Sequence, residues 1–308
     1  VTTPRSVLVL AWATLITQIL IVGTGGAVRL TGSGLGCPTW PLCTDASLVA
    51  TPEMGIHGGI EFGNRLLSII VGLVAVALLA LLIWRQRSRR DLIVPAVAIL
   101  VLTVLQGLIG GISVRVKLDP SVVGLHFVAS AVLVALATIV VVRAVHGRRG
   151  DLVVPRGFAA VMRVTAVVVG ITVLVGVLTT GSGPHAGDDA TYRNGLNPEL
   201  LQHVHSWPAY TTFALTVLVV VIALRGRLAP RRFLVALLGV EIVQIGVGLA
   251  QANTGLPPLL VGTHMVLSVI VVSLTTAALL TMRSGVRTES ASAAADRDRQ
   301  PGTRPSGR

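Results

Sequence analysis

Long apolar runs recur eight times along the chain, at 6–28, 59–83, 92–112, 121–143, 162–180, 200–223, 232–251 and 259–282, separated by charged or glycine-rich turns. A helix rises about 1.5 Å per residue, so roughly 20 residues cross ~30 Å of hydrocarbon. Each run therefore predicts a membrane-spanning helix. The first follows Arg5 and is too long for the core of a signal peptide, so it is read as a span. The pattern also repeats. Gln106 opens Gln-Gly-Leu-Ile-Gly-Gly and His126 follows; 138 residues on, Gln244 opens Gln-Ile-Gly-Val-Gly and His264 follows at the same interval. Thr31-Gly-Ser-Gly34 has an echo in Thr180-Gly-Ser-Gly183. The predicted fold is an all-α integral membrane protein with eight transmembrane helices arranged as two pseudo-symmetric four-helix bundles. Residues 1–146 form the N-terminal half and 147–283 the C-terminal half. The Ser-, Ala-, Arg- and Asp-rich stretch 284–308 predicts a disordered cytoplasmic tail.

Composition agrees with the pattern. Hydrophobic residues make up 53% of the 308 and charged residues only 12%, about half of ordinary usage. The net charge of +12 invites a nucleic-acid reading, and its distribution argues against one. Inter-helix segments, assigned alternately to two sides, place Arg5, Arg85, Arg87, Arg89, Arg90, Arg143, Arg148 and Arg149 together, with further arginines of later turns. The opposite side holds only Arg29, Arg115, Lys117 and Arg193. This positive-inside bias predicts a multi-pass protein of the cell membrane with both termini in the cytoplasm.

The chemistry clusters at the outer ends of the helices. His57, Glu61 and Arg65 are spaced i, i+4, i+8 and so are expected on one helical face. Ionisable groups in a membrane helix mark a candidate site, although Glu61 and Arg65 also make a self-sufficient pair. His205 and His264 fall near the outer starts of the sixth and eighth spans, and His126 occupies the place of His264 in the first half. One buried histidine is most often a hydrogen-bonded core residue. Two at one depth, in a repeat that yields a third, favour ligands of a haem iron. His185 reads as a loop residue. Cys37 and Cys43, the only cysteines, share an outward loop, where an oxidising exterior permits a disulfide; two free thiols are the alternative.

Thr31-Gly-Ser-Gly-Leu-Gly-Cys37-Pro-Thr-Trp40-Pro41-Leu-Cys43, Glu61-Phe-Gly-Asn64-Arg65 and Thr180-Gly-Ser-Gly-Pro-His-Ala-Gly-Asp188 together resemble the bacterial haem A synthase family, across all eight predicted spans. The resemblance implies oxidation of a haem O methyl group to a formyl group, giving haem A for cytochrome oxidase. It implies haem b as cofactor on His205 and His264, and haem O as substrate facing His126. It also implies a role for Glu61 in the oxidation and a Cys37–Cys43 disulfide. The family's Glu-x-x-His-Arg motif reads Asn64 at its fourth position here. Either His57 replaces that ligand or His126 holds the substrate haem alone. Arg29 and Arg115, at the outer ends of the first and third spans, are candidates for its propionates. A haem O synthase, an electron acceptor and a second copy of the chain are the expected partners. The rival readings are a dihaem electron-transfer cytochrome b, which requires a second full histidine pair, and a transporter with duplicated halves.

Overall fold

The computed structural model describes residues 3–188 and 191–286. Each predicted run is a helix: α1 Arg5–Leu30, α2 Gly55–Arg85, α3 Arg90–Arg115, α4 Pro120–His146, α5 Arg156–Ser182, α6 Pro198–Arg225, α7 Arg231–Asn253 and α8 Pro258–Thr281. All eight are long and apolar enough to cross a membrane. Most of the helices outrun their apolar cores. α5 begins at Arg156 and α2 ends at Arg85, because a helix satisfies its own backbone wherever water is scarce, whatever its side chains.

Starts are set by local chemistry. Proline stands at the beginning of α4, α6 and α8, where its missing N–H costs nothing and its φ suits the helix. The Asp119 carboxylate caps α4 by accepting from the N–H groups of Ser121 and Val122, and the Asn197 side chain caps α6 by accepting from Leu200. The Tyr192 hydroxyl donates to Asp119 as well, and that bond holds the Asp119 carboxyl below its ordinary range.

Two cores result. Leu78, Leu82, Leu92, Ile99 and Val134 lie in the first, between α1, α2, α3 and α4. Phe158, Met162, Val219, Leu234 and Leu237 lie in the second, between α5, α6, α7 and α8. α8 also packs on α1 and α4, placing Val269 in the first core. Lipid is as apolar as leucine, so close packing and interhelical hydrogen bonds supply cohesion. Thr138 meets Ser273 across α4 and α8 at 2.7 Å, and Thr172 meets Thr212 across α5 and α6 at 3.2 Å. Each such bond contributes about 0.6 kcal/mol.

One departure concerns the predicted tail. The connection after α4 forms a short strand, β1 Arg148–Leu152, which pairs antiparallel with β2 Arg283–Val286. Ser284, Gly285 and Val286 are therefore paired strand rather than the start of a disordered tail, because β1 offers them an edge that no local pattern announces. The rest of the expected tail, 287–308, lies outside the described residues.

Candidate haem-binding sites

His205 on α6 and His264 on α8 face each other with ring centroids 6.3 Å apart and planes at 73°. The Nδ1 atoms of both are buried, turned toward Gly176 of α5 and Gly248 of α7. With Nδ1 turned to the backing helix, Nε2 is the ring nitrogen that each histidine would offer to a metal between the rings. Two metal–imidazole bonds of about 2 Å, plus the depth of two half-rings, span about 6 Å. The donor set and the spacing both fit an iron held by two imidazoles.

Glycines back these rings. A Cβ placed on Gly176 of α5 would lie 2.9 Å from His205 Cε1, and one on Gly248 of α7 would lie 3.2 Å from His264 Cε1. Only glycine lets the neighbouring helix stand this close. Gln244 Nε2 donates to the His264 carbonyl at 3.1 Å, which ties α7 to α8 beside the ring.

The first half builds one side of the same arrangement. Gln106 Nε2 donates to the His126 carbonyl at 2.9 Å and to Ser130 Oγ at 2.6 Å. His126 Nδ1 is likewise buried without a partner, and a Cβ on Gly110 would lie 3.5 Å from its Cε1. Asn64, one turn beyond Glu61 on α2, accepts a hydrogen bond from Thr24 Oγ at 2.7 Å. His57 is exposed and its Nδ1 bonds Ser33 Oγ at 2.9 Å. Glu61, by contrast, is buried at 5% exposure. The expected shared face of His57, Glu61 and Arg65 thus divides: Glu61 and Arg65 turn to one loop, while His57 meets another part of it.

That loop carries the Cys37–Cys43 disulfide. Arg65 contacts Glu61 Oε1 at 2.6 Å and donates to the carbonyls of Cys37, Thr39 and Leu42. The second Glu61 oxygen accepts from the Cys37 N–H at 2.7 Å. Trp40 rests its indole on Gly111 of α3, where a Cβ would come within 2.3 Å of the ring. Arg115 donates to the Trp40 carbonyl at 3.3 Å. The loop is therefore folded back over α2 and α3, next to Gly110 and hence to the His126 side of the first half. Arg29 reaches across the halves, donating to the carbonyls of His185 and Thr180 at 2.7 and 3.0 Å. The His185 ring bonds the Leu256 carbonyl at 2.8 Å, so this loop residue ties the α5–α6 connection to the turn before α8. Arg29, His57, His185 and Asp188 line one polar cleft of about 570 Å³.

The histidine pair, the glutamines and the loop cysteines are all legible in the sequence. The backing glycine Gly176 and the loop contacts of Arg65 are not. A signal exists only for Arg65, as the partner of Glu61 one turn away.

Residues 8–276 match the family model COX15-CtaA, described as a cytochrome oxidase assembly protein. The chain is similar to proteins named heme A synthase. That of Methylobacterium radiotolerans is 32% identical over 216 residues, covering 59% of this chain and 58% of the relative. That of Alkalihalophilus pseudofirmus is 31% identical over 145 residues, 46% of this chain and 48% of the relative. That of Halalkalibacterium halodurans is 33% identical over 138 residues, 44% and 45%. The matched part spans roughly half the length of these relatives.

Proposed function

The chain belongs to the COX15-CtaA family of cytochrome oxidase assembly proteins, and from that premise we propose that it is a haem A synthase of the bacterial cell membrane, with both termini cytoplasmic. Its substrate is haem O, and its product haem A serves an aa3-type cytochrome oxidase. Two successive hydroxylations, each taking an oxygen from water, passing two electrons to the electron acceptor and releasing two protons, convert one methyl group to a gem-diol, which loses water to leave the formyl group. The observation that carries this reading is the His205–His264 pair, whose facing rings and spacing suit an iron, beside a first half that offers His126 without a matching histidine.

A haem b bound by His205 and His264 would supply one-electron chemistry that no side chain provides. The chain's own residues bind and orient. His126 holds the substrate haem from α4, fixed by Gln106 and given room by Gly110. Asn64, tied to Thr24, and His57, tied to Ser33, support the arrangement in which His126 is the sole ligand there. Glu61 acts near the reacting methyl as proton acceptor or as a stabiliser of developing positive charge, held in one orientation by Arg65 and the Cys37 N–H. Arg29 and Arg115 stand at the outer ends of α1 and α3, where propionates of the substrate would reach them after exchange with carbonyl partners. A haem O synthase, an electron acceptor and a second copy of this chain are the proposed partners.

The test is to produce the chain in cells supplying haem O, purify it, extract the bound haems and identify them by mass. Haem b together with haem A or hydroxylated haem O supports the synthase. Haem b alone, at about two per chain, shows the electron-transfer cytochrome instead.

A further inference from the structure

One acid lies deep in the second half with no part in the sites above. Glu241, midway along α7, is 5% exposed, and its Oε1 accepts from the Thr216 hydroxyl of α6 at 2.9 Å. Its Oε2 is buried without a partner. Thr216 itself is fully buried. α7 packs on α6 and α8. α6 carries no titratable side chain between Tyr210 and Arg225, α8 carries none after His264, and the only others on α7 are Arg231 and Arg232 at its start. A half-satisfied carboxyl in such surroundings is expensive, and an ionisable group at membrane depth is a functional candidate by default.

The internal repeat sharpens the point. Gln244 corresponds to Gln106, so Glu241 corresponds to Thr103, three residues before its glutamine. Thr103 accepts from Gln18 Nε2 at 3.4 Å, a neutral pair serving the same place in the bundle. The acid is confined to the half that has two facing histidines. Glu241 lies seven residues from Gly248, which backs His264, or about 10 Å along α7.

We propose that Glu241 is the proton-exchanging group of the C-terminal haem site, a step that rests on His205 and His264 holding a haem. Glu241 takes up a proton at its unpartnered oxygen when that iron gains an electron from a one-electron carrier, and returns the proton when the electron leaves. An added negative charge in a low-dielectric interior is opposed unless a proton accompanies it, and among the described residues Glu241 is the buried acid of the second half. Thr216 positions the carboxyl by bonding its other oxygen.

The experiment is a potentiometric titration of the purified, haem-loaded protein over a range of pH, read from the haem absorbance. In the unaltered chain the midpoint potential is expected to fall as pH rises. In Glu241→Gln it is expected to stay level, with the haem spectrum unchanged. A slope retained in Glu241→Gln, or absent from the unaltered chain, overturns the proposal. Thr216→Val provides a second reading that keeps the acid, should the first variant fail to fold. Loss of its hydrogen bond disfavours the charged form, so the sloping region is expected to move to higher pH, and an unmoved region overturns the proposal. His205→Ala separates the two levels of the argument. If it keeps the same titrating haem, the histidine pair is not that haem's site, and the reading beneath the proposal falls with it.

Discussion

The rings of His205 and His264 stand 6.3 Å apart across α6 and α8, and each rests against a glycine of a different helix, Gly176 of α5 and Gly248 of α7. All four helices of the second half therefore meet at one pair of imidazoles. Removal of either ring is expected to abolish retention of the haem held there, and His205→Ala or His264→Ala should lose the reduced-minus-oxidised haem bands assigned to that site. Bands retained in both variants would move the cofactor elsewhere.

The glycines make a graded prediction. An added Cβ would lie 2.9 Å from the His205 ring at Gly176, 3.2 Å from the His264 ring at Gly248 and 3.5 Å from the His126 ring at Gly110. The first distance forces a ring to move, the second demands a small shift and the third is ordinary contact. Overpacking costs about 1–3 kcal/mol where neighbours cannot yield. Haem content per purified chain is therefore expected to fall most in Gly176→Ala, less in Gly248→Ala, and least in Gly110→Ala. Equal loss in all three would mean that the rings are not held against these helices.

His57→Ala is expected to leave haem content and haem A formation at the level of the unaltered chain. The ring is exposed and its Nδ1 bonds Ser33 of the α1–α2 loop, so its removal costs about 1 kcal/mol of loop cohesion and no ligand. Loss of the substrate haem in this variant, with haem b retained, would restore His57 to the ligand set.

The eight spans were legible because lipid demands an unbroken apolar surface, and the runs at 59–83 and 121–143 could be little else. Their ends were not, since charged residues such as Arg85 and Arg156, which the helices include, carry no apolar signal. The repeat exposed His126 and His264, and the matching glutamine bonds from Gln106 and Gln244 to their carbonyls are its structural counterpart. Gly176 was invisible because its meaning depends on where α5 stands relative to α6. Glu61 and Arg65 showed themselves as a pair one turn apart, but the third member, the Cys37 backbone, depends on the path of a loop that has no periodicity. Glu241 belongs to no motif. A single acid within an apolar run was its only sign.

The last prediction separates two roles for Glu61. Its carboxylate joins Arg65 to the Cys37 N–H, so any substitution loosens the loop that Arg65 also holds through the carbonyls of Cys37, Thr39 and Leu42. A charge-assisted hydrogen bond contributes roughly 1.5–3 kcal/mol, enough to free the loop in Glu61→Gln, whose amide offers only one acceptor. A proton-accepting role adds a second loss, since general acid–base groups contribute about 10²–10⁴ in rate. Replacing both cysteines by alanine loosens the same loop while leaving Glu61 and Arg65 in place. If Glu61 acts on the substrate, Glu61→Gln should reduce haem A formation by at least about 100-fold, well beyond the cysteine variant, with haem b content equal in both. Equal activity in the two variants would assign Glu61 to the loop alone, because the only defect they share is the loosened loop.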